Sequence, residues 1–287
     1  TTSSNNDYGV VFDIVWTKTT DESGIDHYDE DIDITLDNVT IKTKNPRQGI
    51  TENNYAAMNF CSTTAFYTSN SINIIAVGTN NIELLGVKND TADDNWSAIS
   101  STNDMLVFRG DGTINAGCTY DGAVGSVAAI RNEYTVYTKD TVTLNATANV
   151  TNTSSEPVGC GIVLTSYGLV ANIDTKVNVI ANKCGIYNSY KSSPNLFLFG
   201  DMNIKAGECG INWETSSISV GDDATLTIEG LTDTTSPKVG IITKRGVAIG
   251  NNCTVNIKAL NEAVSCKATT VEDYFKKCEK KRHRNLS

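Results

Sequence analysis

Two pairs of adjacent aspartates, Asp93-Asp94 and Asp222-Asp223, are the first candidates for chemistry. A glycoside hydrolase needs two carboxyl groups about 5 to 9 Å apart across a sugar bond. Neighbouring residues of a strand point to opposite faces, and both pairs stand beside Asn or Gly, so they are expected in turns. His27 and His283 are the only histidines, and neither falls in a regular strand pattern. No Ser/His/Asp or Cys/His set assembles from what is left. The run Asp26-His27-Tyr28-Asp29-Glu30-Asp31-Ile32-Asp33 offers hard oxygen ligands for calcium. It lacks the Gly and the ligand spacing of an EF-hand loop and reads as a solvated loop. No catalytic residue, no bound metal and no cofactor is expected.

The cysteines carry more pattern. Cys160, Cys184 and Cys209 each open a Cys-Gly-Ile triplet in successive repeats, and the expectation is a column of buried free thiols. Cys253 or Cys266 with Cys278 is the natural disulfide staple, because it would tie down the C-terminal segment. No C-x-x-C pair exists, so zinc is not expected. Among the aromatics, Phe197 and Phe199 within Leu196-Phe197-Leu198-Phe199 are expected in the core. Trp213 and Tyr187 follow Cys-Gly-Ile at nearby offsets in neighbouring repeats, which makes them the candidates for a glycan-stacking patch.

The formal net charge of −10 and a pI near 4.7 exclude nucleic acid as a natural partner. The charge is segregated. Asp29 and Asp31 belong to an acidic start, and Lys280 and Arg282 to a basic end. Such ends complement each other head to tail, and heterologous contacts of that kind make open filaments. No stretch approaches the roughly 20 apolar residues of a membrane span. The opening TTSSNND has neither a basic region nor an apolar core and reads as a mature or trimmed end. Eight cysteines and eight N-x-[ST] sequons are compatible with an extracellular or cell-surface glycoprotein.

The elements that would position these residues come from an internal repeat. KVNVIANKCGIYN runs over 176–188 and DMNIKAGECGINW over 201–213. Cys160-Gly161-Ile162 repeats the second half, and Val239-Gly240-Ile241 repeats it with Val for Cys. The copies are spaced by about 24 to 30 residues, a solenoid period. The segments alternate with period two, which excludes helical repeats, and the fixed leucines of leucine-rich repeats are missing. What remains is a coil of short strands stacked at about 4.8 Å. Ile32 to Ile41, Ile72 to Leu85, Met105 to Ala116 and Thr141 to Ala146 continue the pattern toward the N-terminus. The chain is therefore expected to be all-β, a single right-handed parallel β-helix of about eight to ten rungs over 1–268. Val10 to Trp16 would cap its start, and a short helical or irregular cap with the basic tail would occupy 269–287.

Ile34-Thr35-Leu36-Asp37-Asn38-Val39-Thr40-Ile41 resembles the opening of bacterial secreted β-helix proteins described as carbohydrate-binding domain-containing. The strands from Ile72 to Leu85, the step Ser97-Ala98-Ile99 and the turn Gly110-Asp111-Gly112-Thr113 follow in the order of that family. The resemblance covers roughly residues 30 to 150 and implies a secreted solenoid with a glycan partner. It assigns no binding residue, and the Cys-Gly-Ile rungs and basic tail are not features of the family. The functional expectation is a noncatalytic extracellular structural or adhesive rod. Its partners would be cell-surface or matrix polysaccharide, or further copies of itself. The alternative is a β-helix polysaccharide lyase or glycoside hydrolase, and a passive spacer is a third reading.

Overall fold

The computed structural model describes residues 9–14, 18–24, 26–28, 31–44, 47–48, 54–62, 71–85, 95–102, 104–123, 126–152, 159–188, 195–214, 216–232 and 235–266. Among them there is no helix. Strands recur in threes, as in Cys184–Asn188, Leu196–Leu198 and Asp201–Ala206. The first members of successive triplets pair in parallel with one another, and so do the second and the third members; the short strand Arg47–Gln48 adds an antiparallel pairing to Asn54–Ser62. The result is a parallel β-helix with three walls, here called the first, second and third sheets. The second and third sheets hold eight strands each, and Glu262–Cys266 opens one further rung in the first. At about 4.8 Å per rung the rod is roughly 40 Å long.

The core is a set of aliphatic columns. In the first sheet Met58, Ile99, Ile130, Ile162, Ile186, Ile211, Ile241 and Val264 are paired in register from rung to rung. In the third, Ile41, Ile82, Ala116, Ala146, Val179, Ile204, Ile228 and Ile257 do the same. One rung cannot cover its own apolar face, and stacking removes these side chains from water. The Cys-Gly-Ile triplets are explained by the same packing. A Cβ at Gly185 would lie 2.5 Å from the carbonyl oxygen of Gly210, and one at Gly210 would lie 2.5 Å from that of Gly240. Both would also strike core isoleucines, Ile204 and Ile228, more closely still. The same position is Ala98, Ala129 or Ala263 in other rungs, and it is glycine where Val179, Ile204, Ile228 and Ile257 of the third sheet fill the space a Cβ would need.

The expected alignment of Cys160, Cys184, Cys209 and Val239 is present. Cys184 pairs with Cys209 and Cys209 with Val239, while Cys160 and Cys184 stand two residues before the paired Ile162 and Ile186. Val10–Ile14 pairs in parallel with Asn54–Ser62 and is the end strand of the first sheet. The C-terminal cap, including Cys278, lies outside the described residues. Cys253 and Cys266 are free thiols that donate to the carbonyls of Gly250 and Lys244, so they are not stapled to each other.

Polar residues on the walls also form columns. On the outer face of the third sheet Asn115 donates to Asn81 (2.9 Å), Asn145 to Asn115 (2.7 Å), Asn178 to Asn145 (2.8 Å) and Asn203 to Asn178 (3.1 Å). Every amide donates in the same direction, so each bond polarises the next.

Candidate functional site

The corner where the second sheet passes to the third has one length in six rungs, is one residue shorter in the first rung, where Ile34 pairs with Ile74 and Thr40 with Asn81, and is shorter by two in one other. Register fixes equivalent positions on either side of that corner: Ile74 and Thr79, Phe108 and Thr113, Thr138 and Thr143, Ala171 and Lys176, Val220 and Thr225, Ile249 and Thr254. Four residues separate the members of each pair. Leu198 and Asp201 occupy the same two positions in their rung, with only Phe199 and Gly200 between them. Each longer corner contains one residue in the left-handed region: Gly78, Gly110, Asp140, Asp174, Asp223 or Asn252. Glycine, Asp and Asn tolerate that conformation at least cost. The short corner contains none.

Two missing residues leave a notch between taller neighbours. It measures about 340 Å³ and is lined by Ile173, Asp174, Thr175 and Lys176 on one side and Asp222 and Asp223 on the other, with Phe199, Gly200 and Asp201 between. Gly200 is buried at its floor, because a Cβ there would lie 2.6 Å from the carbonyl oxygen of Thr175. That floor is rigid. Phe199 N donates to Ala171 O (2.7 Å) and Asp201 N to Thr175 O (3.0 Å). Thr175, itself buried, donates from Oγ1 to Asn172 O at 2.7 Å. Asp222 is held by the amide of Asn251, which donates to Oδ1 at 2.6 Å.

The notch has an apolar side. Ile173 is 67% exposed and Phe199 38% exposed, and the two lie beside each other in the lining of the notch. The Phe199 ring lies parallel to that of Phe197, with centroids 6.1 Å apart, and leans over Gly221, where a Cβ would come within 3.0 Å of the ring's Cε1. Four carboxylates and one ammonium surround this apolar edge. The site therefore presents a hydrophobic face ringed by hydrogen-bond acceptors and excess negative charge.

Several expected site residues are elsewhere. Trp213 is 0% exposed and belongs to the core, so it has no face to offer a sugar. Tyr187 pairs in register with Asn212, the residue before Trp213. That one-residue difference puts the two rings on opposite faces of the sheet, and Tyr187 packs half-buried against the thiol column instead. The expected patch of the two does not form. Phe197 and Phe199, expected inside, face outward, while Leu196 and Leu198 fill the core between them. The polar Ser219, paired with Phe197, was the sequence signal for this orientation. Asp31 is exposed, but its Oδ1 already accepts from the Ser71 amide at 2.6 Å. Asp29, Lys280 and Arg282 lie outside the described residues, as do Asp93 and Asp94. Asp222 and Asp223 do form a turn.

Among the described residues no group of three or more His, Cys, Asp or Glu is placed to hold a metal ion. No helix there is long and apolar enough to cross a membrane. No family model, no curated protein and no solved structure matches this chain.

Proposed function

We propose that this β-helix is a noncatalytic extracellular rod that binds a neutral glycan at the Phe199 notch. The observation that carries the reading is the corner shortened by two residues at Phe199-Gly200. It exposes an aromatic face on a rigid wall and surrounds it with carboxylates. Sugar rings offer an apolar C–H face and a rim of hydroxyl donors, and a concave site with few placed polar groups suits such a ligand. Aspartates accept from hydroxyls at low cost when they stay partly solvated. Four carboxylates against one ammonium disfavour uronate or sulfated chains. The resemblance of Ile34 to Ile41 to secreted carbohydrate-binding solenoids supports the same class.

Binding to a panel of immobilised neutral and anionic polysaccharides tests this reading. Neutral chains should be retained and anionic ones not. Phe199→Ala should weaken retention about tenfold, the loss of about 1.4 kcal/mol that an aromatic contact of this kind supplies. Retention of anionic chains alone, or affinity unchanged in Phe199→Ala, would overturn it.

The same carboxylates favour a second reading, a glycoside hydrolase of the β-helix type. New reducing ends from a retained polysaccharide, lost in Asp201→Asn or Asp223→Asn, would decide for hydrolysis over binding.

A further inference from the structure

The thiol column is separate from the glycan notch. Cys160, Cys184, Ala128 and Val163 form a buried cluster apart from the main core, with Tyr187 and Cys209 packed against it. None of the three is in a disulfide; Cys160 and Cys184 are buried and Cys209 half-buried. Cys184 shares thiol hydrogen bonds with both neighbours, and these, with burial, hold its pKa well above the ordinary thiol range. Adjacent strands lie about 4.8 Å apart, inside the Cα separation of 4.4 to 6.8 Å that a disulfide spans. Three sulfurs in single file cannot surround a tetrahedral metal ion. What a file of three can hold is one disulfide and one thiol.

We propose that Cys160, Cys184 and Cys209 form a redox site that carries a single inter-rung disulfide, with Cys184 the member common to both bonded forms. The oxidant is a low-molecular-weight disulfide. Cys209, the most accessible of the three, gives up its proton, and its thiolate attacks one sulfur of the reagent. The reagent's S–S bond breaks and one small thiol leaves. Cys184 then loses its proton and attacks Cys209 Sγ, so the mixed disulfide breaks and a second small thiol leaves. Two electrons and two protons pass from the cysteines to the reagent, and one Sγ–Sγ bond joins two rungs. Cys160 can displace Cys209 from Cys184 without a net change of oxidation state, which moves the bond to the fully buried pair and frees Cys209 for another reaction. The high pKa of Cys184 makes the second step slow, because the thiolate is the nucleophile.

The test uses the full chain with oxidised glutathione under native conditions. Free thiols are then alkylated, and the chain is unfolded and digested without reduction for mass mapping. The expected product is one disulfide per chain joining Cys184 to Cys209 or to Cys160, with the buried Cys61 and Cys118 in no link and not alkylated in the folded chain. Cys160→Ser should leave only the Cys184–Cys209 link. Cys209→Ser should slow bond formation at least tenfold, and Cys184→Ser should form no link within the column. Glutathione stalled on Cys209 with no link in the folded wild-type chain would overturn the proposal. So would a Cys160–Cys209 link forming as readily in Cys184→Ser as any link does in the wild type.

Discussion

Gly210→Ala places one methyl group where two rungs meet. Its Cβ would stand 2.5 Å from the carbonyl oxygen of Gly240 and closer still to Ile228 Cγ2. Carbon–oxygen contacts normally begin at about 3.3 Å, so the rungs must separate or tilt by close to 1 Å. Overpacking on this scale costs about 1 to 3 kcal/mol. Against it stands a gain of about 0.4 to 1 kcal/mol, because alanine leaves the unfolded chain less freedom than glycine. The net expectation is a loss of about 1.3 kcal/mol. A chain of this size should then melt about 2 °C lower, and the urea midpoint should fall with little change in slope. Ile228→Ala in the same chain should not restore stability, because the Gly240 contact is to backbone and cannot swing away. Gly117→Ala is the control. The nearest atom to its Cβ would be Glu83 Cγ at 3.6 Å, an ordinary contact, so this change should be neutral or slightly stabilising. If Gly210→Ala matched Gly117→Ala in urea, the steric account of the Cys-Gly-Ile repeat would be wrong.

Asn145→Ala removes two bonds from the middle of the asparagine ladder and should cost about 1 to 2 kcal/mol, whereas Asn203→Ala at its end should cost about half as much. Equal urea midpoints for the two variants would show that the ladder is not coupled. Inserting Asn-Asp between Phe199 and Gly200 restores a four-residue corner, and glycan retention should disappear while the melting temperature stays within about 2 °C of wild type. The carboxyl of Asp140 is held below the ordinary carboxylate range by the Gly110 amide and then by Arg109. Its contribution is present above the unfolded carboxylate value of about 3.9 and is lost as the pH falls through its lower folded value. The difference in urea midpoint between wild type and Asp140→Asn should therefore be present near neutrality and vanish at strongly acid pH.

The repeat made the architecture legible because a solenoid writes the same constraint many times. Cys-Gly-Ile recurs in three successive rungs, with Val-Gly-Ile in the next, and the alternating strands of the third sheet read directly as walls. The notch was harder to see. The strands of the second sheet are only three residues long in most of the later rungs, too short for alternation to declare which face is inside. Leu196-Phe197-Leu198-Phe199 permits either orientation, and size alone suggested burying the phenylalanines. Aligning it with Ile218-Ser219-Val220 settles the orientation, since a serine at the middle position belongs outside. The same alignment reveals the two absent corner residues. Trp213 misled for a related reason: proximity in sequence to Tyr187's counterpart said nothing of parity, and a step of one residue along a strand exchanges core for surface.

Corner length is a variable that this fold can change without disturbing its walls. The strands on either side of Phe199-Gly200 keep their register with the rungs above and below. Removing two residues from another corner, such as the one at Asn251 and Asn252, would open a second recess at a distance set by counting rungs. Binding sites on such a rod could thus be spaced like marks on a ruler, with the interval chosen by where deletions fall and the affinity of each mark by the side chains its neighbours lend.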